Sequence, residues 1–150
     1  MKHLFEPTTV HEIKDRLARL RSDRIRRWGT MDAAQAVAHS TAVLKLATGD
    51  IRPPRTTVGR LMGWIIKPLA VANDAPIRKN SPTVREAVVV GNRDLDAERA
   101  QLCDLLDEFA SAGPDGCTTH PHPFFGRLTP LEWSRFMYKH LDHHLRQFGV

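Results

Sequence analysis

Apolar positions along the chain recur mostly at the three- and four-residue spacing of a helix, and seldom in the strict alternation of a half-buried strand. The first such stretch aligns Val10, Ile13, Leu17 and Leu20 in one stripe. Thr9, with Glu12 three residues later, predicts a capping box at its start, and the helix is expected to run to about Leu20. A second stretch, "MDAAQAVAHSTAVLKLATG", is apolar nearly all round, which predicts a central helix with Thr30 as N-cap and Gly49 as its stop. A third, "DLDAERAQLCDLLDEFASAGP", sets Leu95, Leu102, Leu105, Leu106 and Phe109 on one side and ends at Gly113-Pro114.

The last helix has the clearest start. In "LTPLEW", Thr129 is the N-cap, Pro130 takes N1, Glu132 closes the box from N3, and Leu128 can staple onto Trp133. Between the second and third main helices, from Asp50 to Arg93, the pattern is irregular. "IRPPRTT" and "NDAPIRKNSPT" read as loops, "VGRLMGWIIKPLAVA" as helical in part, and "REAVVVGN" as either a short strand or an extended crossing segment. No second amphipathic strand is present to build a sheet. The expected fold is all-α: a four-helix bundle with a crossover of about forty residues joining the middle pair.

The final helix carries three of the chain's eight histidines within five positions. At 100° per residue, His140 and His144 share the apolar face with Trp133, Met137, Leu141 and Phe148. Arg135, Lys139, Asp142 and Arg146 fall on the opposite side, and His143 falls on the boundary. Two imidazoles four residues apart stand one turn above each other, about 6 Å between Cβ atoms, so both can reach one metal ion. The central helix offers a third ligand in His39, which is set among alanines and valine, where an unpartnered imidazole would be costly. Each of the three could instead be a satisfied core histidine: His39 bonded to a carbonyl or a hydroxyl, and His140 with His144 as a hydrogen-bonded pair. The combination of three inward histidines on two helices points to a metal site in a bundle core.

Other chemistry-bearing residues compete with that reading. His120 and His122, in "TTHPHPFFG", precede the final helix and are expected at the other end of the bundle, since His140 lies roughly 16 Å along the axis from the helix start. His143 is either a residue standing behind the ligands or a solvated surface histidine. Cys103 reads as a helix-core thiol and Cys117 as a loop thiol, and no residue is singled out as general acid or base. His3 and His11 have no evident partner.

Composition narrows the class. One domain spanning 1–150 is expected, with 41% hydrophobic residues to build its core. The N-terminus lacks a secretory h-region, and two cysteines make no disulfide framework, so a cytoplasmic location is expected. The most apolar run, "LMGWIIKPLAVA", is 12 residues long and contains Lys67 and Pro68, too short for a bilayer; it reads as a core helix or a homodimer contact. The net charge of +5 is concentrated in six arginines between Arg16 and Arg27. These could attract phosphates, but with no nucleic-acid-binding motif beside them they read as a solvated helix face and its following turn.

The segments "WGTMDAAQAVAHS" and "HPFFGRLTPLEWSRFMYKHLDHHLRQFGV" resemble the second and final helices of the DinB-like superfamily of small metal-binding four-helix bundles, and especially its compact branch known only as a domain of unknown function. The resemblance implies that His39, His140 and His144 hold a divalent metal, zinc or nickel, with Gln147 matching a glutamine that often follows the pair. It further implies a metal-dependent enzyme acting on a small-molecule substrate, either an S-transferase using a low-molecular-weight thiol or a hydrolase. The rival readings are a non-catalytic metal-binding or dimerising bundle, and a nucleic-acid-binding module using Arg16 to Arg27.

Overall fold

The computed structural model describes residues 1–73 and 75–150, and these form five α-helices: α1 (Pro7–Ala18), α2 (Ala33–Thr48), α3 (Thr57–Val71), α4 (Leu95–Ala112) and α5 (Pro130–Gln147). Among the described residues there is no strand; the nearest approach is one isolated bridge between His122 and Gly126. None of the helices is long and apolar enough to cross a membrane.

The helix starts follow local chemistry, with two corrections. α1 begins two residues before the expected Thr9, because Pro7 occupies N1, where its missing N–H costs nothing. The Thr9 hydroxyl then donates to the Glu6 carboxylate at 3.0 Å instead of capping a helix. α2 is capped by Asp32, not Thr30. Asp32 accepts from the Gln35 N–H at 2.8 Å and the Gln35 side chain accepts from the Asp32 N–H at 3.0 Å, a reciprocal box that only this register provides. Gly49 ends α2 at φ 86°, a left-handed conformation that favours glycine. α5 carries the expected box: Thr129 accepts from the Glu132 N–H at 3.2 Å and Glu132 from the Thr129 N–H at 2.8 Å.

α1, α2, α4 and α5 enclose one core, in which Phe109, Trp133, Leu44, Leu102, Leu106 and Met137 are fully buried. Interhelix bonds fix the directions. Phe5 donates to Ser134 and Arg16 pairs with Asp142, so α1 runs with α5; Arg99 reaches the Leu17 and Leu20 carbonyls while Lys14 pairs with Asp107, so α4 runs against α1. The end of α2 meets the residues just after α4, where the Thr118 N–H donates to the Ala47 carbonyl at 2.8 Å. α2 and α4 are therefore parallel, and parallel neighbours cannot be joined by a short turn. The long crossover answers this topological requirement.

Within the crossover, α3 is helical over its whole length rather than in part. Thr56 caps it by accepting from the Gly59 N–H at 2.9 Å, and the helix continues past Pro68 to Val71. It lies along α5 and its lead-in. A Cβ on Gly59 or Gly63 would collide with the Pro123 or Phe124 carbonyl oxygen, so only glycine permits this approach. Lys67 bonds the Arg127 carbonyl and Glu132, both at 2.9 Å. Lys139, expected on the polar side of α5, is instead 7% exposed, its ammonium donating to the Leu69 and Asn73 carbonyls at 2.9 and 3.1 Å. The docking of α3 covers it. The expected loop from Asn73 to Thr83 is irregular in its described residues; Asp74 lies outside them. "REAVVVGN" is no strand but a single 3-10 turn, Arg85–Ala87, followed by irregular chain.

Candidate metal centre

α2 is rich in alanine, and these small side chains let α4 and α5 approach it closely. On the flank toward α5 it carries His39, which is 4% exposed. α5 presents His140 and His144 from successive turns, both half-buried. The three rings meet: centroids are 5.0 Å apart for His39 and His140, 4.9 Å for His39 and His144, and 4.7 Å for His140 and His144. One nitrogen from each lies within 4.8 Å of the other two. The three are close enough for a small inward movement of the rings to gather them around one ion.

Hydrogen bonding sets the tautomers. His39 Nδ1 lies 2.7 Å from the Ala87 carbonyl oxygen, which can only accept, so Nδ1 carries the proton and Nε2 the lone pair. His144 Nδ1 lies 2.9 Å from Oε1 of Gln147. The Gln147 amide nitrogen donates to the Trp28 carbonyl at 2.7 Å, which turns its oxygen toward His144. His144 is therefore also protonated at Nδ1, with its lone pair on Nε2. His140 Nε2 is buried and has no hydrogen-bond partner. A buried polar nitrogen is ordinarily paired, and this one, beside two other imidazoles, fits a ligand to a cation.

Electrostatics favour the ligand form of all three. Burial lowers the pKa of His39, and it holds His144 at about 3 with help from the neighbouring His39. Burial, reinforced by His144 and His39, holds His140 well below the ordinary histidine value. Neutral imidazoles are the species that bind a divalent metal, and the triad can hold one.

A family model described as protein of unknown function (DUF1569) matches residues 5–149. The chain belongs to this family. No curated protein and no solved structure matches it.

The remaining candidates in this DUF1569 chain have other tasks. His143 stands beside the triad, its ring edge-on to that of His144 at 5.1 Å between centroids, but its Nε2 lies 3.4 Å from Trp28 Nε1 and it also bonds the backbone of Ile77, pinning both segments to α5. His122 is buried beside Phe136, its Nδ1 accepting the Phe124 and Phe125 N–H groups at 3.1 and 3.3 Å. Burial, with a smaller effect from Arg55, pushes its pKa down to about 3. The Phe136 ring contacts both His122 and His140. His120 bonds the Pro53 carbonyl at 2.9 Å. His3 and His11 pair locally with Glu6 and Asp15.

Cys103 and Cys117 are thiols raised by burial, Cys117 to about 11, so neither is a ready thiolate. Of the arginine run, Arg16 alone is tied into the core, while Arg19, Arg21, Arg24, Arg26 and Arg27 are exposed. Arg16 holds Asp142 at 2.8 Å and the Val150 carbonyl at 3.0 Å, Arg21 pairs with Asp23, and Arg26 bonds the Gly29 carbonyl. Sequence reasoning did not single out the Ala87 and Trp28 carbonyls, which orient the site. A backbone carbonyl belongs to every residue and leaves no mark in composition or spacing.

Proposed function

We propose that this chain is a metal-dependent enzyme on a DinB-like four-helix bundle, with His39, His140 and His144 holding one divalent ion, zinc or nickel. The observation that carries the reading is the orphaned, buried Nε2 of His140 beside two imidazoles whose proton-bearing nitrogens are already engaged. The four packed helices and the long crossover between parallel α2 and α4 support the fold assignment. When bound, such an ion supplies Lewis acidity at neutral pH, which serves to activate a low-molecular-weight thiol or water as nucleophile toward an electrophilic small molecule.

The chain's own residues do the rest. Ala87 and Gln147 hold the Nδ1 protons of His39 and His144 and aim their lone pairs inward. Burial keeps all three imidazoles neutral. Three protein ligands leave coordination positions open, the arrangement of a catalytic rather than a closed structural site.

The test is elemental analysis of protein purified without a histidine tag, beside a His140→Ala variant. Near-stoichiometric metal in the parent, lost in the variant, supports the site; near-zero occupancy in both overturns it. Thiol transfer to an electrophilic probe, present in loaded protein and abolished by chelation, then separates catalysis from passive binding.

A further inference from the structure

α3 is apolar on two sides. Its inward side, Gly59, Gly63 and Ala70, is buried. Its outward side carries Val58, Leu61, Met62, Trp64, Ile65 and Leu69, which are 45 to 76% exposed. Large apolar side chains face solvent while small ones face the core, the reverse of an ordinary surface helix. Contiguous patches of this kind mark interaction sites.

We infer that the outward face of α3 is the interface of a two-fold homodimer. Three features select a second copy of this chain as the occupant. The first is size: the exposed parts of these six residues amount to roughly 700 Å², close to the ~800 Å² per partner of a standard interface. The second is self-complementarity. Val58, Met62, Ile65 and Leu69 are spaced four, three and four apart, symmetric about the middle of the helix. An antiparallel copy therefore sets Val58 against the partner's Leu69 and Met62 against the partner's Ile65, as a two-fold interface requires. The third is charge. The face contains no ionised group; Arg60 and Lys67 lie on the flank, and Lys67 already holds Glu132. No unpaired charge is desolvated when two copies meet.

A membrane surface fits less well. A helix lying in a lipid interface turns a strongly polar, cation-rich face to water opposite its apolar one. In α3 the side opposite is packed glycine and alanine.

Sedimentation of the untagged full chain over a range of micromolar concentrations tests the inference. The expected result is a two-chain mass for the parent and a one-chain mass for Leu61→Glu and, separately, Trp64→Glu, with helical circular dichroism unchanged. Both substitutions fall at solvent-facing positions, and either one suffices as the variant arm. A parent that stays at one-chain mass at every concentration overturns the proposal, whether or not it floats with vesicles of anionic and zwitterionic phospholipid. Folded variants that keep the two-chain mass overturn it as well, since the dimer would then use another surface.

Discussion

Gln147 stands between His144 and Trp28, accepting from the imidazole Nδ1 at 2.9 Å through its side-chain oxygen and donating to the Trp28 carbonyl at 2.7 Å through its amide nitrogen. One residue a turn along the same helix and one from far earlier in the chain thereby fix this ring's tautomer. Outer hydrogen bonds of this kind are worth about 10–100-fold in metal affinity. Gln147→Leu should weaken metal binding by that factor while leaving the helix content intact, measured by competition with a chromogenic chelator. Unchanged affinity would show that His144 is oriented by packing alone.

The buried histidines give the metal-free protein a defined pH dependence. His122 and His144 are held at about 3, against an ordinary value of 6.5 that the unfolded chain recovers. Above pH 6.5 neither state is protonated at these rings, and their neutral burial carries no penalty. As pH falls from 6.5 toward 3, only the unfolded chain takes up protons, and stability drops by about 1.4 kcal/mol per pH unit for each ring. Urea unfolding of chelator-stripped protein at pH 7.5 and 5 should show this fall. Equal midpoints at the two values would contradict neutral burial.

The register of α2 predicts a contrast between two neighbouring residues. Asp32→Ala removes the cap and should cost about 1 kcal/mol, whereas Thr30→Ala, outside the helix and exposed, should stay within about 0.5 kcal/mol. Thermal melts of the two variants decide which residue caps.

Gly59 lets α3 lie against the chain leading into α5. Gly59→Ala would push a methyl group onto the Pro123 carbonyl, and overpacking of this sort costs about 1–3 kcal/mol. A lower melting temperature is expected, together with faster proteolysis within the crossover. A melting curve matching the parent's would mean that α3 shifts freely.

Cys117, with its thiol pushed up to about 11 by burial, should resist iodoacetamide at pH 8 in the folded protein and react readily in denaturant. Fast modification of the native chain, read by mass spectrometry, would contradict the raised pKa of this half-buried thiol.

Features encoded within a turn or two of helix are legible in the sequence. Thr129, Pro130 and Glu132 start α5 as their spacing dictates, and Gly49 stops α2, because capping is settled among residues a few positions apart. The shared face of His140 and His144 follows from helical periodicity in the same way, and the apolar surroundings of His39 mark it as inward. Competition between nearby signals is harder to read: Thr9 and Thr30 were eligible caps, but Pro7 and the Asp32–Gln35 pair offered better starts.

Tertiary structure alone decided the partners. The Ala87 carbonyl lies 48 positions from His39, and the Trp28 carbonyl 119 from Gln147. Lys139 is buried because α3 folds over it, and His143, packed against His144, bonds Trp28 and Ile77. Helical periodicity tells which way a side chain points, since that depends only on its own backbone. What it meets there depends on how segments far apart in the chain pack together, and a backbone carbonyl that meets it carries no signature of its own.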